Sequence, residues 1–344
     1  MMSVLDRKYW ILESPPLDML LIILPGWLGV VLAWNLPQDS LWMTLFALFA
    51  IWFVDAGHTY TTWWRTVFRK EEREAHYIYW LAPVGTIIGI FLWIKLRLPY
   101  LWSFIAYNAI FHQIRQYYGV SRWYQKLNGR FCRVSNRFLY TLLVMPFILF
   151  HFRGIDWITM YSDDGGELFL YPSTVLFKTG LAVYFATLAA WLVFEGRLWW
   201  KGLREPNRFL SMLVPISIYG VGFTLGDTVA EVIFPILMAH GIPYMAIMDV
   251  SLRRLNPAIF TSFLKVLCLM IFTAALLSSI ESYATDFLET LNYAYRYRDT
   301  STGQALLTAL VMTPLICHFI WDAYIWKGTH REAKKVYAVS KSAK

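Results

Sequence analysis

Residues 303–326 read GQALLTALVMTPLICHFIWDAYIW, an apolar run whose only charged side chain is Asp322 and which Lys327 ends. A helix of about 20 apolar residues spans the hydrocarbon core of a bilayer, so this run predicts a transmembrane helix. His318 and Asp322 lie four residues apart and therefore share one face of that helix. Ionisable side chains are costly in lipid, and inside a span they are candidates for function. The run predicts both a membrane fold and a polar site within it.

The composition of the whole chain indicates the same class of protein. Of its 344 residues, 58% are hydrophobic and 16% are charged, which is more apolar surface than a soluble domain can bury. We expect an all-α, polytopic transmembrane helix bundle of about ten helices, forming a single domain over residues 1–344. The ten apolar segments long enough to span a bilayer are residues 17–35, 40–62, 77–96, 100–121, 137–152, 171–195, 209–226, 228–250, 258–280 and 303–326.

The basic residues predict the orientation of the bundle. Most of the 31 lysines and arginines fall in the N-terminus, in alternate loops and in the short basic tail 327–344. Loops rich in Lys and Arg stay in the cytoplasm, so both termini are expected there. We expect a multi-pass protein of a bacterial inner membrane, with the lipid bilayer as its surroundings. The net charge of +8 follows from this topology and does not indicate nucleic-acid binding.

Five of the seven histidines lie in or against the cytoplasmic half of a segment, and four of these lie inside the spans. Counted from the end of each helix at about 1.5 Å per residue, they sit roughly 8 to 20 Å below the cytoplasmic boundary. Their segments all run from outside to inside. A single histidine in a span is often only a hydrogen-bonding group, but four at one side predict a shared metal site. These predicted ligands are His58, His112, His240 and His318.

Polar residues accompany three of these histidines at helical spacing. Asp55 lies three residues before the first of them, Gln116 four residues after the second, and Asp322 four residues after the last. A metal-bound imidazole usually gives its second N–H to a carboxylate or carbonyl, which fixes its tautomer. We expect these three residues to orient the ligands. Further candidates for the site are His76, Gln113 and Arg115.

The types of ligand favour a transition metal. Sites rich in imidazole and poor in carboxylate suit iron, copper or zinc rather than magnesium or calcium. The chain has no GxSxG, P-loop or HExxH motif. A redox metal within lipid indicates oxygen chemistry on a hydrophobic small molecule. We expect iron as the cofactor, with copper, zinc and haem as alternatives.

Two stretches of this sequence resemble a known family. HFIWDAYIW at 318–326 and HGIPYMAIMD at 240–249 look like the His-x3-Asp and His-Gly helices of the Brp/Blh-type membrane carotenoid dioxygenases. The resemblance implies a polytopic enzyme that holds a non-haem iron through histidines of several helices and cleaves a polyene. The resemblance covers His318, Asp322 and His240. The assignment of His58 and His112 as ligands depends only on their depth in the membrane and on the helix faces they share with other polar residues.

These features predict an integral-membrane metalloenzyme, an iron or other redox-metal oxygenase acting on a lipid or isoprenoid substrate with an electron-donor protein as partner. Two alternatives stay open. One is a haem-binding electron carrier with two axial histidines, for which Gly57, Gly119 and Gly241 offer room. The other is a proton-coupled transporter that uses charges within the membrane. The charges suited to that role are Asp55, Asp227, Glu231 and Arg115.

Overall fold

The computed structural model describes residues 6–155, 168–290, 301–327 and 331–337, and within these ranges every regular element is a helix. The predicted all-α bundle is confirmed. The helices are α1 (Pro15–Asp18), α2 (Pro25–Asn35), α3 (Leu41–Ala47), α4 (Gly57–Arg65), α5 (Lys70–Ala75), α6 (Ile78–Lys95), α7 (Leu101–Leu127), α8 (Arg133–Arg153), α9 (Thr174–Trp200), α10 (Pro206–Leu225), α11 (Val229–Leu255), α12 (Phe263–Thr290), α13 (Thr302–Ile325) and α14 (Arg331–Val336). A 3-10 turn covers Arg7–Tyr9, and π-helical stretches cover Met19–Ile23 and Leu48–Ala56.

Most of the predicted spans have the length and composition of membrane helices. Eight helices in the described part qualify, and the bent pair Pro15–Ile23 and Pro25–Asn35, which turns by 48°, makes nine if it counts as one span. The segment predicted at 100–121 is also helical, as α7, but it carries polar and charged side chains along most of its length and falls outside this set. The chain is therefore a multi-pass membrane protein. Its least apolar long helix, α7, carries the predicted ligand His112.

Helix α11 forms the centre of the bundle and is buried over most of its length. It begins with a capping box in which Thr228 and Glu231 satisfy each other's backbone N–H groups. It packs against α2, α4, α10 and the π-helical stretch Leu48–Ala56. Helix α13 packs against α6, α4 and α7, and α8 lies between α9 and α10. Three ligand-bearing helices, α4, α11 and α13, therefore share one part of the core.

Gly241 allows α11 to approach the π-helical stretch closely. A β-carbon added there would lie 2.6 Å from Val54 Cγ1 and 2.7 Å from the Val54 carbonyl oxygen, closer than real contacts allow. Gly119 in α7 is different, because a β-carbon there would meet no atom of the described structure within 4 Å. Since His240 neighbours Gly241 and His58 follows Val54 by four, this contact sets the spacing between two of the predicted ligands.

A buried ion cluster joins α9 and α10 at the end of the bundle assigned to the cytoplasm. Arg208 donates through Nη2 to Glu195 Oε2 and through Nε to Glu205 Oε2, each at 2.6 Å. Ser135 at the start of α8 donates to Glu195 Oε1 at 2.8 Å. The Arg208 side chain is 1% exposed, so its charge depends on these two carboxylates.

Part of the predicted tail is described, as α14, which packs on α11. Glu332 in α14 accepts a hydrogen bond from Arg69 Nη1 at 3.1 Å, and Arg254 Nη1 donates to the Val336 carbonyl at 2.6 Å. Within 327–344, residues 328–330 and 338–344 lie outside the described residues.

Candidate metal centre

The structure brings the four predicted ligand histidines into one cluster, with one ring each from α4, α7, α11 and α13. His58, His240 and His318 are at most 2% exposed, and the His112 side chain is 10% exposed. The ring centres of His58 lie 4.6 Å from His240 and 4.8 Å from His318. Those of His112 lie 5.1 Å from His240 and 4.7 Å from His318. The cluster is therefore a compact, buried group of four imidazoles.

The distances between the ring centres indicate the shape of the cluster. His240 and His318 are 6.3 Å apart, farther than the four neighbouring pairs. An imidazole nitrogen binds a metal at about 2.1 Å and its ring centre lies roughly 1 Å farther out. Rings at right angles around one ion would then be about 4.5 Å apart and opposite rings about 6.3 Å, whereas a tetrahedral set would show one distance of about 5.2 Å. The four ring centres form a slightly folded square, with His240 and His318 opposite. The square describes the ring centres only, because the potential ligand atoms of His58 and His112 fall in two different groups that share His318.

The protonation of the His58 ring follows from its hydrogen bond. Its Nδ1 lies 3.0 Å from the Val54 carbonyl oxygen, which can only accept, so Nδ1 carries the proton and the Nε2 of the neutral ring is free to bind a metal. That Nε2 lies 3.0 Å from His240 Nε2. Two ligand nitrogens at right angles and about 2.1 Å from one ion would be about 3.0 Å apart. Without an ion, the same contact would be a hydrogen bond from His240 to His58.

Other ring nitrogens of the cluster have no hydrogen-bond partner in the described structure. They include His318 Nε2 and His112 Nε2, and both are buried. Buried polar atoms are nearly always satisfied, so such atoms call for an explanation. An ion within the cluster would satisfy these two nitrogens, and the residues present therefore fit a bound metal.

A second polar layer lies one helical turn beyond the cluster. Tyr244 donates to Asp322 Oδ1 at 2.5 Å, and its hydroxyl oxygen lies 2.7 Å from Thr62 Oγ1. Thr62 Oγ1 also lies 2.7 Å from His318 Nδ1. An ionised Asp322 can only accept hydrogen bonds. Tyr244 therefore donates to Asp322, Thr62 donates to Tyr244, and His318 donates to Thr62. This chain places a proton on His318 Nδ1 and leaves its Nε2 free to bind a metal.

The three predicted orienting residues do not form the expected direct hydrogen bonds to the imidazole rings. Asp322 Oδ1 lies 3.9 Å from His318 Nδ1, too far for a hydrogen bond, and it reaches that ring through the second layer. Asp55 Oδ1 is likewise 3.9 Å from His58 Nδ1, whose acceptor is the Val54 carbonyl. Gln116 Nε2 donates to the backbone carbonyl of His240 at 2.8 Å rather than to a ring.

The three further candidates contact other neighbours. His76 Nδ1 lies 2.8 Å from the Tyr324 hydroxyl. Gln113 Oε1 accepts from Tyr219 at 3.2 Å, and Arg115 Nη1 donates to the Tyr140 hydroxyl at 3.2 Å. None of the three belongs to the groups in the described structure that could hold a metal ion.

Thr62 and Tyr244 are absent from the set of orienting residues that the sequence predicts. The spacing carries a signal for both, because a polar residue follows each ligand histidine by four positions and so shares its face. Those residues are Thr62, Gln116, Tyr244 and Asp322. A search for that shared spacing would have found the whole second layer.

Two overlapping groups in the described residues could hold a metal ion, with the potential ligand atoms of each group within 4.8 Å of one another. One contains His58, His240 and His318, and the other contains His112, His318 and Asp322. The chain thus carries a His-rich group, within a membrane helix bundle, that could bind a metal. No protein-family model matches this chain, and comparison with curated proteins and with solved structures gives no match either.

Proposed function

We propose that the chain is an integral-membrane metalloenzyme, a non-haem iron oxygenase that acts on a hydrophobic lipid or isoprenoid substrate. The observation that carries the proposal is the 3.0 Å contact between His58 Nε2 and His240 Nε2, within a cluster of four imidazoles of which three are buried and one is 10% exposed. Burying four imidazoles in contact, with ring nitrogens unpartnered, is costly without a ligand. A cation bound by His112 Nε2 and His318 Nε2 would offset the part of that cost that falls on these two nitrogens.

The shape of the cluster supports iron more than zinc. Structural and catalytic zinc sites are tetrahedral, whereas the four ring centres here lie near the corners of a square. When bound, iron would supply the activation of O2. Copper(II) also accepts a tetragonal set of nitrogen ligands and stays the alternative metal. The resemblance of residues 240–249 and 318–326 to carotenoid dioxygenases favours iron and a polyene-like substrate.

The roles of the protein side chains follow from their contacts. His58, His112, His240 and His318 would hold the metal. Thr62 and Tyr244 position His318 and connect it to Asp322. Asp322 Oδ2 lies 3.7 Å from His112 Nε2, so this carboxylate is also placed to contact the ion or to hold a proton beside it. The buried setting excludes water, and a substrate would enter from the bilayer. We keep an electron-donor protein as the expected redox partner.

The geometry counts against the two alternative functions. A haem between His240 and His318 would place its porphyrin where the rings of His58 and His112 lie, since these neighbour both axial positions. The space beside Gly241 is occupied by Val54. For a transporter, Asp227 is an ion-pair partner of Arg153 at 2.8 Å and Glu231 is part of a helix cap.

Metal analysis of the purified protein tests the proposal. We expect about one equivalent of iron and its loss in a His240→Ala/His318→Ala variant. His151→Ala is the matched control, because His151 lies in α8 against Tyr107 and should leave the iron content unchanged. Iron, copper, zinc and manganese all below about one tenth of an equivalent, in wild type and variant alike, would overturn the metal site.

Two further measurements separate the proposed function from its alternatives. Oxygen uptake by the iron-loaded protein on addition of a polyene isoprenoid supports the oxygenase, and the double variant should show none. A Soret band that disappears in His112→Ala would instead establish the haem carrier. Substrate uptake by proteoliposomes that persists after complete chelation would establish the transporter.

A further inference from the structure

A second feature of interest is an apolar cavity between α6 and α13, with a volume of about 330 Å³. This is within the range of small-molecule sites, which is about 300–1,000 Å³. Val84 and Leu310 on its wall are exposed on the surface of the bundle, so in a membrane the cavity opens sideways to lipid. A molecule could enter it without crossing water.

One charged residue stands on this apolar wall. Arg73 in α5 lines the cavity, and the only hydrogen bond of its guanidinium in the described structure runs from Nη1 to the Val67 carbonyl. Among the described residues no carboxylate lies within 4 Å of it, whereas the neighbouring Lys70 pairs with Glu74. A guanidinium has five N–H donors in a fork that matches a carboxylate, so Arg73 keeps donors for an anion.

The other polar groups of the wall are mostly satisfied within the protein. Tyr79 donates to Glu72, and Trp321 Nε1 donates to the Ile78 carbonyl. The indole N–H of Trp63 has no acceptor in the described structure, but it is buried and has almost no accessible surface toward the cavity. The cavity therefore combines apolar walls with unused donors on Arg73.

The shape of the wall fits a chain. Leu310 and Trp321 lie at its two ends along α13, roughly 16 Å apart at about 1.5 Å per residue, which is about the length of an extended chain of a dozen carbons. Helix α5, with Arg73, forms part of the connection between α4 and α6, which the charge distribution assigns to the cytoplasm. A charged head at Arg73 would sit at the membrane surface while its chain ran into the bilayer.

From these contacts we infer that the cavity binds a long-chain carboxylic acid, with the carboxylate on Arg73 and the chain between α6 and α13. Cys317 lines the cavity and directly precedes His318. Neighbouring helical residues point about 100° apart, so the cavity and the histidine cluster lie on adjacent faces of α13 at one depth. That the bound acid is also the substrate rests on the proposed function, whereas its binding does not.

Photolabelling in nanodiscs of phosphatidylcholine tests this inference. The probe is dodecanoate with a diazirine at its methyl end, used with the full chain, and labelled peptides are mapped by mass spectrometry. We expect labels near Val84 and Leu310, and about tenfold less label with the methyl ester of the probe, which cannot form the charge-assisted pair with Arg73. Arg73→Gln should lose about tenfold, Arg73→Lys should keep most of the label, and Lys70→Gln is the matched control that should match wild type.

Three results would overturn the inference. They are equal labelling by acid and ester on the wild-type protein, undiminished labelling of a folded Arg73→Gln variant, and labels spread equally over the lipid-facing helix α9. The comparison of acid with ester needs no variant and therefore does not depend on the folding of a mutant. The His240→Ala/His318→Ala variant should be labelled like wild type. Failure of the metal proposal and failure of this one are thereby told apart.

Discussion

The side chains around His318 show how hydrogen bonds can fix a metal ligand at a distance. A neutral imidazole has one donor and one acceptor nitrogen, and either tautomer is accessible until a neighbour selects one. Here Asp322 accepts from Tyr244, so the Tyr244 oxygen can accept from Thr62, whose oxygen then accepts from His318. The carboxylate thus selects the tautomer through two hydroxyl groups without touching the ring.

Replacing Thr62 with valine should weaken metal binding without unfolding the protein. Valine has the shape of threonine but no hydroxyl, so the proton on His318 Nδ1 would lose its acceptor, at a cost of about 1–3 kcal/mol. Removing such orienting partners typically lowers metal affinity by about 10–100-fold. Competition between the protein and a chelator of known affinity would measure the change.

Thr62→Ser is the control, because serine keeps the hydroxyl and should bind metal almost as tightly as wild type. Equal affinities of the valine and wild-type proteins would remove Thr62 and the chain beyond it from the metal site. A valine variant that fails to fold would show up as an altered elution profile, and the serine variant would then be compared with Tyr244→Phe.

At the level of the helices, the spacing between α11 and the π-helical stretch determines where His240 meets His58. The wider turn of a π-helix lies directly before α4, and such turns are frequent at functional sites. The absence of a side chain at Gly241 brings the two segments together. Helix geometry, and not only the ligand side chains, therefore defines the 3.0 Å contact between the two nitrogens.

Gly241→Ala should disturb the metal site by moving a helix. Its methyl group would meet the Val54 carbonyl oxygen, and such overpacking typically costs about 1–3 kcal/mol. We expect a lower thermal midpoint together with a lower iron content. Gly119→Ala is the matched control, since its methyl group meets nothing in the described structure within 4 Å, and both quantities should stay unchanged or rise slightly. A Gly241→Ala protein with full iron content would show that the close approach is dispensable.

The helices themselves could be predicted from the sequence, but several of their local departures could not. Apolar runs of the right length predict spans, and all ten predicted segments are helical. A π-helical stretch such as Leu48–Ala56, which packs against α11 and α12, has no comparable sequence pattern. Regular helical spacing predicts Asp55 as the partner of the His58 ring, whereas the structure gives the Val54 carbonyl as its acceptor. Side chains at one depth could be predicted, and their exact partners depended on the helix geometry.

Considered as a whole, the molecule assembles its site from helices far apart along the chain. The ligands lie between residues 58 and 318 and come from α4, α7, α11 and α13. Residues four positions beyond three of them also contact one another, as Thr62, Tyr244 and Asp322 do. Both layers can match only if α4, α11 and α13 run in the same direction, as the alternating topology predicts. Which helices become neighbours is a property of the packing that no local sequence pattern specifies.

Because one ion would join four helices of the bundle, its removal should destabilise the entire fold. A ligand that binds only the native state stabilises it by about 4 kcal/mol at a thousand times its dissociation constant. For a protein of this size we expect chelation to lower the thermal midpoint by about 5 °C or more. The midpoint would be measured as the loss of the monodisperse elution peak after heating, with and without added iron.

The buried ion cluster supplies the comparison for that experiment. Arg208→Met leaves Glu195 and Glu205 without their shared cation, which typically costs about 3–5 kcal/mol. Arg208 bonds to none of the four ligand histidines, so this variant should unfold at a lower temperature and yet respond to chelation as much as wild type does. His240→Ala/His318→Ala should show the opposite pattern, with no response to chelation. A wild-type midpoint that is unchanged by chelation would mean that no ion links the four helices.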